Sequence, residues 1–261
     1  MLLVIDVGNT NVTLGLYPPA KPLPGPGPER CWRLPTRRDA TSDELGSQIL
    51  SLFQSSRLSP SHVKGAVVAS VVPSLDPALR DAVQDYFGIV PLFVGPGVRT
   101  GVRNLYHPPT DVGADRLVNA AAAYARVKGA CLVVDFGTAT TVDCVDRRGA
   151  YLGGVIVPGP RMAAEALFRG TAKLPLLENI RRPAAVIGRT TQDSLASGLY
   201  YGYVGLVSEL VRRLRAEMGG KPVVLATGGL AGLWASSVPG LKAVVPHLTL
   251  EGLRIIWYRN Q

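Results

Sequence analysis

Two short stretches, half a chain apart, share one design. Residues 2–11 read LLVIDVGNTN and residues 131–141 read CLVVDFGTATT. Each is an apolar run of strand length that ends at an aspartate, with a glycine two residues later and Thr or Asn beyond it. Each is followed at once by a second strand-like run, VTLGLY at 12–17 and TTVDCV at 140–145. Strand, glycine turn, strand is the pattern of a hairpin. A chain that carries this unit twice is expected to duplicate: two α/β lobes with a cleft between them. Its 261 residues leave room for both, at about 100–200 residues per domain. We place the division at residues 1–117 and 118–261.

The rest of the chain fills in around these hairpins. Thr41-Ser42-Asp43-Glu44 opens a helix through Phe53, with Thr41 or Ser42 as cap and an acid near its third position. Residues 65–72 form a buried strand stopped by Pro73. Pro77–Phe87, Asp111–Val127, Met162–Leu167, Asp193–Met218 and Leu250–Tyr258 have helical spacing. Cys31–Thr36, Val90–Val94, Tyr151–Val157 and Val223–Ala226 read as strands. Residues 18–30, dense in Pro and Gly, are a lengthened hairpin tip.

Composition excludes several classes. With 47% hydrophobic and 18% charged residues the chain is not disordered. A net charge of +9 suits phosphate-bearing or acidic partners. Cys31, Cys131 and Cys144 form no CxxC, which argues against a disulfide scaffold or a zinc ribbon. The opening MLLVIDVG has no basic lead and is broken by Asp6, unlike a signal peptide. The uncharged stretch 222–241 is long enough to span a bilayer, but its glycines and prolines fit a strand, a glycine turn and a short helix. A cytoplasmic chain without membrane or nucleic-acid partners is expected.

Four groups can do chemistry. In the first turn, Asp6 at a strand end can hold hydrated Mg²⁺, and the exposed N–H groups of the Gly8-Asn9 turn, with Thr10 and Asn11, can cradle the β- and γ-phosphates of a nucleotide. An ordinary hairpin would carry the same residues. The second turn, Asp135 to Thr141, repeats both the chemistry and the alternative. Gly228-Gly229 after a strand lets a ligand lie against backbone and can support an adenosine; a plain strand-to-helix turn looks the same. Asp115-Arg116, in GADR at the start of a helix, is in most proteins a surface pair. Its chemical reading is a general base beside an anion clamp.

Taken in order, the motifs resemble those of type III pantothenate kinases, in the acetate and sugar kinase/Hsc70/actin superfamily. They are MLLVIDVGNTN, WR with a later TSDE, SVVPSL, VGPGVRTG, VGADRLVNA, VVDFGTATT, YLGGVIVPG, TAKLP, ATGGLA and LTLEGL, spread over almost the whole chain. The resemblance implies two ribonuclease-H-like lobes, a homodimer, and transfer of the ATP γ-phosphate to the 4′-hydroxyl of pantothenate, the first step towards coenzyme A. It implies a need for Mg²⁺ and a monovalent cation, K⁺ or NH₄⁺. Residue by residue, it implies that Asp115 takes the hydroxyl proton and that Gly113, Ala114, Asp115, Arg116 and Tyr106 contact pantothenate. Asp135 would bind the monovalent cation. Asp6, Val7, Gly8, Asn9, Thr10, Asn11, Val12 and Thr13 would contact ATP, as would Thr138. Within GRTT, Thr191 matches a substrate contact, with Thr190 beside it where the family pattern has asparagine. The loop at 18–30 is longer than the pattern. Two alternatives stand beside this reading: a non-catalytic transcription accessory factor of the same family, and a kinase for another small acceptor.

Overall fold

The computed structural model describes residues 1–19, 25 and 27–261. Residues 20–24 and 26 of the Pro-rich tip expected at 18–30 therefore lie outside the described residues. The chain divides into two compact units, Met1–Arg126 with His247–Gln261, and Val127–Pro246.

In the first unit, β1 (Leu2–Val7), β2 (Asn11–Tyr17) and β3 (Arg30–Pro35) form an antiparallel meander. β4 (Gly65–Ser70) lies parallel to β1, and β5 (Leu92–Phe93) parallel to β4, giving the order β3-β2-β1-β4-β5. The crossovers are helices, as parallel neighbours require: α1 (Ser42–Ser55) and α2 (Asp76–Phe87). α1 starts where the sequence places it. Thr41 Oγ1 accepts from Glu44 N at 3.2 Å, and Glu44 Oε2 accepts from Thr41 N at 2.9 Å. Such a cap contributes about 1 kcal/mol. Its buried stripe of Leu45, Ile49 and Phe53 joins Leu3, Ile5, Leu14 and Leu16 in one core. A two-residue strand, β6 (Arg103–Asn104), precedes α3 (Ala114–Val127).

The second unit repeats the plan. β7 (Cys131–Phe136), β8 (Ala139–Val145) and β9 (Ala150–Pro158) are the antiparallel meander. β10 (Val223–Thr227) and β11 (Leu241–Val244) add parallel to β7 in turn. α4 (Pro160–Arg169), the long α5 (Thr191–Met218) and the short α6 (Ala231–Trp234) make the connections. Its core is aromatic: the Phe136 and Trp234 rings stack 5.5 Å apart, with Tyr200 and Tyr203 against the same tryptophan. On α5, Tyr200 and Tyr203 are thus core residues. The uncharged stretch 222–241 is a strand, a glycine turn and a short helix. No helix among the described residues is long and apolar enough to cross a membrane.

The expected boundary at 117/118 does not hold. It falls inside α3, which runs unbroken through Val127 with Val118 to Ala123 buried. The last helix, α7 (Leu248–Arg259), belongs to the first unit, not the second: it packs on β1 and β4. Two glycines make room for it. A Cβ on Gly65 would overlap the Trp257 ring, and one on Gly15 would come 3.0 Å from Leu250. β6 and β11 have no counterpart in the expectation, and the elements that were expected differ only at their ends. Strand 90–94 shrinks to Leu92–Phe93, and the helix expected from Asp111 starts at Ala114 after a single tight turn, Pro109–Asp111.

Candidate active site

In the first unit the carboxyl ends of β1 and β4 form an edge of the kind at which open α/β sheets bind ligands. Asp6 is the next-to-last residue of β1, opposite Thr13 on β2 and Ala69 on β4. It is half-buried, while Asn9 and Thr10 are exposed. The turn is held from both sides. Gly8 N donates to Asn11 O at 3.0 Å, Thr36 Oγ1 donates to Gly8 O at 2.6 Å, and Thr36 N donates to Thr10 O at 3.0 Å. Arg38 reaches Asn9 Oδ1 at 3.1 Å and brings a guanidinium to the turn. Thr36 and Arg38 carry no local sequence signal. They reach this turn only because β3 pairs with β2.

GADR sits at the same edge. Asp115 is in the first turn of α3, where a carboxylate is favoured by the helix dipole. Its Oδ1 accepts from Arg116 N at 2.8 Å. Gly113 is needed here, because a Cβ would come 2.5 Å from Asp115 Oδ1 and 3.5 Å from Val71, just past the end of β4. Burial pushes the Asp115 carboxyl above the usual carboxylate range, against the pull of the Arg116 N–H and charge. Arg116 is 6% exposed, so this acid–base pair is no solvated surface pair. Its guanidinium lies 5.9 Å from the centre of the Tyr106 ring, within cation–π range. Tyr106 is positioned in turn by Asn104, whose Oδ1 accepts from Tyr106 N at 2.9 Å. The structure therefore brings Tyr106, Gly113, Ala114, Asp115 and Arg116 together.

In the second unit the equivalent edge is formed by β7 and β10. Asp135 is opposite Thr141 on β8 and Thr227 on β10. Gly228 has φ +92°, open only to glycine at low cost. A Cβ there would come 2.5 Å from Asp135 Oδ1 and 2.6 Å from Phe136 O. The space left by that missing side chain is bordered by a carboxylate and a carbonyl oxygen, the donor chemistry of a hard cation. Thr138 is exposed in its turn, and its carbonyl accepts from Gly159 N at 3.0 Å. Gly159 is a site neighbour that the sequence reading did not single out; the proline-glycine step after β9 was the available signal. A Cβ on it would overlap the Thr138 carbonyl.

The remaining pair is placed differently. Thr190 caps α5: its hydroxyl accepts from Asp193 N at 3.1 Å and donates to Asp193 Oδ2 at 2.7 Å. Thr191 is the exposed first residue of that helix. Of the two, Thr191 is the one whose hydroxyl is not spent on the cap.

A family model described as "Type III pantothenate kinase" matches residues 2–213. Curated relatives bearing the name type III pantothenate kinase match over the whole chain. The one from Geobacter sulfurreducens is 48% identical over 261 residues, covering 100% of both proteins. The one from Myxococcus xanthus is 49% identical, covering 100% of this chain and 99% of its own. Among solved structures, the inorganic polyphosphate/ATP-glucomannokinase of Arthrobacter sp. strain KM superposes with a TM-score of 0.51 at 15% identity, covering 99% of this chain and 98% of its own. An activator of 2-hydroxyisocaproyl-CoA dehydratase from Clostridium difficile, solved with bound ADPNP, gives 0.53 at 12% identity, covering 99% of this chain and 94% of its own. These likenesses show the two-lobed fold of sugar kinases and actin-like ATPases, as expected from the sequence.

Proposed function

The chain belongs to the type III pantothenate kinase family, and from that premise we propose how its residues carry out ATP-dependent phosphorylation of pantothenate, the first step of coenzyme A biosynthesis. The observation that carries the residue assignment is Asp115: a half-buried carboxylate at a helix start, at the same sheet edge as Asp6, with Arg116 and Tyr106 beside it.

Asp115 is the general base. It accepts the proton of the pantothenate 4′-hydroxyl as that oxygen bonds to the γ-phosphorus of ATP. The bond from that phosphorus to the β–γ bridging oxygen breaks, and ADP leaves with the electron pair. Phosphoryl transfer of this kind depends on positioning and charge neutralisation. Arg116 neutralises the acceptor's carboxylate or the transferring phosphoryl, and the Tyr106 ring fixes the orientation of both guanidinium and acceptor. The turn Asp6, Val7, Gly8, Asn9, Thr10, Asn11, Val12 and Thr13 holds ATP phosphates through backbone N–H groups. Thr138, Gly228 and Gly229 contact ATP from the second unit, and Thr191 contacts pantothenate with Thr190 supporting it through the cap.

The donor set fits two cations. Asp6 at its strand end suits Mg²⁺ held through water, and Asp135 with Phe136 O suits K⁺ or NH₄⁺. When bound, these ions supply charge neutralisation to the phosphates. We further propose that the chain works in the cytoplasm as a homodimer. Buried Cys131, outside any disulfide, fits a reducing compartment. Exposed Ile156, Met162, Leu167 and Phe168 on β9 and α4, with open space over Gly198, Gly202 and Gly205 on α5, fit a partner surface.

The test is ADP release with ATP and Mg²⁺, with and without pantothenate, in K⁺ and in Na⁺. Pantothenate-dependent release that drops in Na⁺ supports both the reaction and the cation. In the same assay Asp115→Asn lowers kcat by at least ~10²-fold; full activity would remove Asp115 from the role.

A further inference from the structure

Helix α3, which carries Asp115, is tied by directional contacts in its second and last turns to the first turn of helix α7. Asn119 lies four residues after Asp115, one turn inward on the same helix face. It is 1% exposed amid the buried alanines 120–123. An asparagine is a poor helix former, and a buried amide has to be hydrogen-bonded. Thr249, in the first turn of α7, donates its hydroxyl to Asn119 Oδ1 at 2.8 Å. At the far end of α3, Arg126 donates to Glu251 Oε2 at 2.8 Å from Nε and at 2.5 Å from the terminal nitrogen, and Glu251 is 4% exposed. Beside these contacts Gly252 lets the backbones close up; a Cβ there would overlap the Val118 carbonyl.

Alanine packing alone leaves a helix free to slide and rotate by fractions of an ångström, because its contacts are weakly directional. Part-buried polar contacts at two heights of α3 remove that freedom. α7 is itself seated on β1 and β4, whose carboxyl ends form the site edge. The position of Asp115 relative to that edge thus passes through α7.

We propose that Thr249 and Asn119, backed by Glu251–Arg126, are positioning residues for the phosphoryl transfer: they fix α3 on α7 and so hold the Asp115 carboxylate at the sheet edge. The inference rests on Asp115 being the base. A displacement of about 1 Å at a reacting group can cost as much as ~10²-fold in rate.

The test uses the full chain with ATP, Mg²⁺, K⁺ and pantothenate. Thr249→Val keeps the shape and removes the donor. We expect kcat to fall about tenfold with KM for ATP unchanged, since the phosphate turn is untouched, and Thr249→Ser to restore it. In an Asp115→Asn background, Thr249→Val causes no further loss, because it acts through a base already gone. Unchanged kcat in Thr249→Val, an equal loss in both backgrounds, or no rescue by serine overturns the proposal. If Thr249→Val does not fold, Glu251→Gln takes its place: kcat falls and KM for ATP holds, or the proposal is overturned. An active Asp115→Asn enzyme would overturn the base reading itself, whereas an inactive one beside unaffected Thr249 and Glu251 variants overturns only the clamp.

Discussion

The hairpins β1–β2 and β7–β8 are buried alike, residue by residue. β1 and β7 are buried at every position except the half-buried aspartate, and β2 and β8 share one alternation along seven residues. Asp6 faces Thr13, and Asp135 faces Thr141. The differences lie in what surrounds this common frame. Four residues (8–11) separate the last facing pair, Val7 and Val12, in the first hairpin. Three (137–139) separate Phe136 and Thr140 in the second. The first turn is gripped by Thr36 and braced by Arg38, whereas the second closes against Gly159 and Gly228. Gly15, beneath α7, corresponds to Asp143, which is buried and accepts from Tyr151 Oη at 2.8 Å. A duplicated strand pair sets where a carboxylate stands; its neighbours set what that carboxylate can do.

This comparison can be broken most sharply at the two aspartates. Asp6→Asn is expected to lower kcat by about 10²-fold in any salt, the scale for losing a group that acts on developing charge. Asp135→Asn is expected to lose less and to abolish the difference between K⁺ and Na⁺. Steady-state rates in both salts check this, and identical salt responses would mean that the two turns do the same job. Next come the glycines. Gly228→Ala sets a Cβ at positive φ within 2.5 Å of Asp135 Oδ1, and strain of this kind costs about 1–3 kcal/mol. Gly8→Ala meets only Asn11 O at 3.2 Å and should cost about 1 kcal/mol or less. Urea unfolding of both variants ranks them, and the reverse order would contradict the geometry.

A pH profile sharpens the distinction between either turn and Asp115. Burial raises the Asp115 pKa in the folded chain. Since the base must be ionised, kcat/KM should fall on the acid side at a pH above the ordinary aspartate range. The linkage sign runs the other way for stability: between the ordinary and the raised pKa the folded state binds more protons, so this group lowers stability as pH rises through that window. Asp115→Asn should therefore melt no lower than the parent at neutral pH. A lower melting point would mean that the carboxylate is held by more than the Arg116 N–H. The smallest effect is expected from Arg38→Ala, an exposed contact to Asn9: a rise of a few fold in KM for ATP with kcat unchanged, on the scale of about 1 kcal/mol.

Much of this site is legible in the residues because its signals are local. An apolar run ending in aspartate and glycine makes its own strand end and turn, and Thr41 with Glu44 makes its own helix start. Gly113 is tied to Asp115, two positions away. What was not legible depends on partners far along the chain. Thr36 and Arg38 reach the first turn through sheet register, and Gly159 reaches the second through the return of β9. Thr190 commits its hydroxyl to Asp193, a role the residues do not announce because a cap and a binding threonine share one sequence pattern.

The sequence alone determined the two strand–turn–strand frames, the position of each carboxylate at a strand end and the family that the ordered motifs denote. These are set by side-chain period and turn chemistry, which act over a few residues. Only the tertiary structure decided that α3 runs past the expected boundary and that α7 returns to the first sheet. It also decided that Arg116 is buried and Asp115 half-buried, not a solvated surface pair. These depend on which apolar faces close on one another, and an amphipathic helix carries the pattern of its buried face without the identity of what buries it.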